Sequence, residues 1–321
     1  MTPPEVRRAR DVAELRTWLV GELAPGGRLG VALHVVENVA ERSHQNSPTS
    51  QAAEYRAMVE ADLWYVPDDA VGVVEEAMAS VPDDLTLDVW QMPSLCGFVV
   101  FERSIVGTDA QSATTIRVDG LLWGPVNIYD YDEARPIKAL GISAWHHRTP
   151  ASPVLQWAAM ANEPVMNSRD YWVPLGRSDW EVGTSLVTMP PVYQRHGQAM
   201  IDSAREDRAM VAALWGLALA TPQEQVELPA RFVRKRAERA GIKANPAVRV
   251  LTFPRSIGST ERHDPTGRHL SVRFMVRGHW RRQACGPQRS QHRHVYITPH
   301  WRGPEGAPLS NPATVVKQLK G

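Results

Sequence analysis

Cysteine is almost missing from this chain: Cys96 and Cys285 are the only two in 321 residues. Two cysteines are too few for a disulfide framework, and neither has a CxxC neighbour, so a stapled secreted scaffold and a cysteine zinc site are both excluded. Long apolar runs are missing too. No stretch approaches the roughly 20 residues that cross a bilayer as a helix. The N-terminal Pro3, Pro4, Arg7, Arg8 and Arg10 have none of the apolar character of a signal peptide. A cytoplasmic protein without a membrane partner is therefore expected. The sequence also lacks a phosphate-cradling glycine loop, an HExxH pair and a nucleophile elbow, which leaves no familiar enzyme class in view. No cofactor and no metal are expected, and no repeat of solenoid spacing is present.

What is present is an ordinary globular composition with two unusual features. Apolar residues make up 43% of the chain and the mean hydropathy is -0.32, enough for one large domain or two smaller ones. The first unusual feature is tryptophan: there are 11, suited to core or stacking positions. The second is hidden by a net charge of +1. From residue 221 onward there are 19 Lys and Arg against 6 Asp and Glu, whereas the first 220 residues carry 17 against 29. Such asymmetry implies a basic module with an anionic partner, set on an acidic body. The bland alternative is that the two parts neutralise each other within one fold.

Periodicity gives helices over 4–24, 29–42, 51–64 and 71–79, closed by Pro25-Gly26-Gly27, a polar loop, Val66-Pro67 and Pro82-Asp83-Asp84. Stretches 85–90, 97–105, 115–128 and 136–145 are β-branched and aromatic, with turns that suit antiparallel pairing. Residues 148–191 show no period and read as an irregular wrapping segment. A helix over 194–220 follows, apolar on nearly all sides in its second half. After a boundary at 221–228 come a short basic helix over 229–240, carrying Arg231, Arg234, Lys235, Arg236 and Arg239 with Gly241 as its C-cap, and a strand over 248–253. The expected fold class is α+β: N-terminal helices on a mostly antiparallel sheet, with a basic helix-plus-hairpin module. The expected division is 1–220 and 221–321, unless the two form one continuous domain.

The hairpin is the most distinctive stretch. Runs at 271–279 and 292–300 flank a turn at Gly286-Pro287 and Ser290. Alternation puts Arg293, Val295 and Ile297 on one side of the second run, and His292, His294, Tyr296 and Thr298 on the other. Arg273, Arg277, Arg281, Arg282, Arg289, Arg293 and Arg302 lie among Trp280, Tyr296 and Trp301, with Glu305 the one acid between 272 and 309. Guanidinium groups neutralise phosphates and aromatic faces stack on exposed bases, so this pattern suits RNA or a ribonucleoprotein. Arg234 and Lys235 join the same candidate surface. The competing structural reading pairs these arginines with acids of the N-terminal part and puts the aromatics in a small core.

His279, His292 and His294 are candidate catalytic residues for a histidine-dependent nuclease, the enzymatic alternative; exposed histidines in a basic hairpin are more often phosphate or base contacts. The cluster Asp130, Asp132 and Glu133 reads as a solvated turn, and His146-His147 as structural. A third reading is a protein-interaction inhibitor with no nucleic acid, and a protein partner for the acidic body is compatible with either binding reading.

The run Arg277-Gly278-His279-Trp280, followed by a turn and a second β-run at 294–301, resembles the C-terminal signature of the second type V-A anti-CRISPR family and related uncharacterised proteins of actinobacteria, their phages and mobile elements. Val81-Pro82-Asp83-Asp84 leading to the run from Met92 to Val100 resembles the family's N-terminal sheet. The resemblance implies an α+β fold and a phage or mobile-element protein that suppresses production of a CRISPR nuclease through its message, linked to translation, rather than a standalone enzyme. It marks Arg277, His279 and Trp280 as family positions. The high arginine content departs from the family and leaves the target open.

Overall fold

The run Asp62-Leu-Trp-Tyr-Val66 is aromatic and branched with no polar alternation, the composition of a strand covered on both faces. In the computed structural model, which describes residues 3–42, 50–88, 92–108, 115–130, 135–147, 172–189, 198–220, 225–252, 271–304 and 307–308, it is β1 (Asp62–Val66), buried from Leu63 to Val66. Its two neighbours, β2 (Gly97–Thr108) and β7 (Val248–Val250), both run parallel to it. The helix expected to reach Trp64 stops earlier: α3 is Gln51–Glu60, and Ala61 already has extended backbone. An apolar run buried on both faces carries no period, so a helical reading continues through it unchecked.

Around β1 the main sheet has the order β5-β4-β3-β2-β1-β7-β6, with β3 Thr115–Asp130, β4 Arg135–His147, β5 Trp172–Glu181 and β6 Gln225–Glu227. Every pairing except the two made by β1 is antiparallel, so the fold is α+β with a mostly antiparallel sheet, as the sequence implies. The central strands fall where expected. Strand β5 corrects the irregular reading of 148–191, of which residues 148–171, 190 and 191 lie outside the described residues. Pro174 and Gly176 disguise it, and Pro is tolerated there because β5 is an edge strand with a register shift opposite Trp145. The expected strand at 85–90 is instead a short irregular partner of 183–186, through Leu87 N–H to Thr184 O at 3.0 Å and Leu186 N–H to Leu85 O at 2.8 Å. Val89 and Trp90 lie outside the described residues.

Helices cover both faces of the sheet. On one, α1 (Val12–Leu23), α3 and α6 (Arg231–Arg239) pack over Leu63, Tyr65, Phe98, Leu122 and Trp145, with Leu15, Leu19 and Leu23 buried among them. Helix α1 begins later than expected, after a 3-10 turn at Ala9–Asp11, and α2 (Arg28–Arg42) leans on α1 and α3. On the other face lie α4 (Asp68–Ala79) and α5 (Gln198–Ala220), with Trp215 edge-on to Trp123 at 6.0 Å between ring centres. Each fully buried large apolar side chain contributes about 1.5–3 kcal/mol. Helix α6 ends as its sequence dictates: Gly241, at φ +78°, takes the left-handed cap position, and the Ile242 amide donates to Ala237 O. Among the described residues no helix is long and apolar enough to cross a membrane.

The chain divides into two compact units, Met1–Thr252 and Phe253–Gly321. Helix α6 and strands β6 and β7, which the charge balance groups with the hairpin, thus belong to the first unit. The described residues of the second form a ribbon of β8 (Phe274–Val276) with β11 (His300–Arg302), and β9 (His279–Cys285) with β10 (Gln291–Ile297).

Candidate nucleic-acid interface

Two strands alone bury little, so a ribbon this short depends on a few side-chain contacts. The first strand passes its expected end at His279 and runs to Cys285, with a break at Arg277-Gly278; the second breaks opposite, at Thr298-Pro299. Both breaks have local causes. Pro299 has no amide to donate. Gly278 lies against the Tyr296 ring, where any Cβ would overlap the tyrosine hydroxyl. Tyr296, 1% exposed, meets Trp280 edge-on at 5.3 Å, directly across the ladder. The turn between β9 and β10 is tight: Gly286, Gln288 and Arg289 all have positive φ, and the Ser290 hydroxyl donates to Pro287 O at 2.9 Å.

This frame sorts the candidate residues. Register and pleat place Trp280, Arg282, His292, His294 and Tyr296 on one face of β9–β10, and His279, Arg281, Arg293, Val295 and Ile297 on the other. Arg277, Arg281, Arg282, Arg289, Arg293 and Arg302 are exposed. Residues 271–304 contain no Asp or Glu, and none of these six arginines makes an ion pair among the described residues; Arg281 donates only to the Gln283 side chain, at 2.9 Å. Arg273 is different, lying over the Trp301 ring at 5.3 Å, so each occupies the other. Tyr296 offers no face to a base: it is buried, and holds Trp280 in place instead. Arg234 and Lys235 are exposed on α6, in the first unit.

The histidines do not converge. His279 is on the opposite face from His292 and His294, and its Nδ1 lies 3.1 Å from Arg277 O. Among the described residues no group of three His, Cys, Asp or Glu side chains is placed to hold a metal ion.

The first unit handles charge in another way. Arg16 and Arg208 are 0% exposed. Arg16 donates to Ala61 O at 2.9 Å, and burial pulls its guanidinium down to about 10. Arg208 donates to Leu186 O, Thr188 O and Asp179 O and stacks near Trp180. Arg103 bridges Asp68 and Glu75. Asp119 of β3 lies 2.7 Å from His146 Nδ1 and accepts from the His147 amide at 2.7 Å and Ser104 at 2.6 Å. Burial alone would push that carboxyl up, but these hydrogen bonds hold it below its ordinary value. The pairing tethers β2, β3 and β4 together. Nothing in the spacing of Ser104, Asp119 and His146 signals it, because the register of three strands makes it. Burial raises the Cys96 thiol to about 12, which makes it inert.

No family model matches the chain, and no curated protein matches it. Among solved structures it is similar to the crystal structure of AcrVA2, a type V-A anti-CRISPR protein, at 14% identity over 89% of this chain and 85% of that one, with a TM-score of 0.42. A likeness at that level gives no residue a role.

Proposed function

We propose that this protein is an RNA-binding regulator of the phage or mobile-element type, anti-CRISPR-like in its action, whose ribbon engages a message or ribosome-associated RNA and suppresses expression of a target. The observation that carries the reading is the set of six exposed arginines on the ribbon with no carboxylate between residues 271 and 304. Clustered cations repel one another, and that arrangement favours a polyanionic ligand. Arg281 and Arg293 serve one face and Arg282 the other, so a single strand passing over a ribbon edge meets both. Trp280, braced by Tyr296, supplies a stacking surface. The acidic first unit is then free to meet a protein partner.

The test is crosslinking and sequencing of RNA bound to the full chain in an actinobacterial host, beside the Arg281→Glu, Arg282→Glu variant. Enriched RNA that falls in the variant supports the reading and names the target. RNA at background in both sinks it and moves the ribbon to a protein partner; enrichment unaffected by the variant moves the interface elsewhere.

A further inference from the structure

Helix α6 carries a second concentration of charge, on the other compact unit. Its buried side is Val233 and Ala237. At 100° per residue that leaves Phe232, Lys235, Arg236 and Arg239 as a stripe at i, i+3, i+4 and i+7, with Arg231 and Arg234 beside it. All six are exposed, Phe232 to 64%. None of the five cations makes an ion pair among the described residues. The one acid of the helix, Glu238, pairs with none of them, and Glu227 just before it accepts from the Arg10 amide at 3.3 Å. An aromatic ring exposed to water within a row of unneutralised cations repeats the chemistry of the ribbon on a different backbone.

We infer that α6 is a second, separate RNA contact, so that each compact unit holds its own stretch of single strand. The inference rests on the RNA reading of the ribbon. Charge complementarity selects the occupant: five cations against one acid along a helix of nine residues match a phosphate chain. The stripe is about 10 Å long at 1.5 Å per residue, ample for a few phosphates and one stacked base. It is small against the roughly 800 Å² per side of a stable protein interface. Exposed Val226 and Leu228 on the approach to the helix are what an acidic protein would use in addition, and they separate the two occupants experimentally.

The experiment is titration of the full chain with a short labelled oligouridine, read as stoichiometry and salt dependence. The wild type takes two oligomers per chain. The Lys235→Glu, Arg236→Glu, Arg239→Glu variant takes one, as does Arg281→Glu, Arg282→Glu, and combining them abolishes binding. At α6 the slope of log affinity against log salt belongs to a few phosphates, and losing three cations removes about 2 from the summed slope. Phe232→Ala, with every charge kept, weakens the second site alone. Two oligomers still bound by the α6 variant overturns the inference. One oligomer on the wild type, lost only in the ribbon variant, also overturns it while leaving the ribbon's function intact; no binding by any form is the failure of the RNA reading itself. Polyglutamate captured in place of RNA, and released by Leu228→Ser, overturns it in favour of an acidic protein.

Discussion

The two units treat arginine in opposite ways. In the sheet unit Arg16 and Arg208 are interior girders, each anchored by bonds to backbone carbonyls, and Arg103 is clamped by two carboxylates. On the ribbon six arginines stand exposed and make no ion pair among the described residues, and Arg273 lies over Trp301. An arginine count cannot separate these cases, since both units are rich in the residue. Burial separates them: a guanidinium buried in the fold and anchored on backbone carbonyls is architecture, and one exposed at the surface is available to a ligand.

Arg208→Ala tests that contrast most severely. It strips the hydrogen bonds from three carbonyls and opens a cavity, for an expected loss of about 3–5 kcal/mol, read by urea melts, while RNA affinity of the folded fraction holds. Arg281→Glu with Arg282→Glu should do the reverse: stability stays within about 0.5 kcal/mol of wild type while RNA affinity falls roughly a hundredfold, about 1.4 kcal/mol for each phosphate interaction removed. If the double variant unfolds the ribbon instead, its arginines are structural and the contrast fails. Gly278→Ala is smaller and crosses the boundary between the classes. It forces Tyr296 from beneath Trp280 at about 1–3 kcal/mol of local strain, and is expected to weaken RNA binding with every arginine in place, measured beside tryptophan fluorescence.

The mildest effect is a pH dependence in the sheet unit. The Asp119 carboxyl is held below its ordinary 3.8 when folded, so its stabilisation is present above that value and is lost as pH falls through the lower folded one. Asp119→Asn should cost about 1–2 kcal/mol near neutrality, a difference that shrinks in acid melts below pH 4 or so. The ribbon, with no carboxylate of its own between 271 and 304, has no counterpart to this loss.

Much of this was legible in the order of residues. β-Branched and aromatic composition between turns marks β2, β3 and β4, apolar richness marks α5, and Gly241 marks the end of α6, because each is a local signal with a local cause. Strand β1 and strand β5 were not legible, one because double-sided burial erases alternation and the other because Pro174 and Gly176 break it. The candidate surface was legible as composition: arginines and aromatics without acids. Its inner order was not. That Tyr296 is buried, that Arg273 is taken by Trp301, and that Arg234 and Lys235 stand on a different unit from the ribbon all follow from pairings between distant residues.

Strand β1 has one more consequence, for the order in which the protein is made. Leu63 lies beside Val248 and Tyr65 beside Val250, so one flank of the sheet's centre waits for a strand synthesised long after it. Until the ribosome has released residues 248–250, that flank is a bare row of amides and carbonyls, the template on which unfinished chains associate. A nascent chain or a truncation ending at residue 220 would therefore expose an adhesive edge, which the acidic surplus of the first 220 residues would oppose by mutual repulsion until β7 closes the gap.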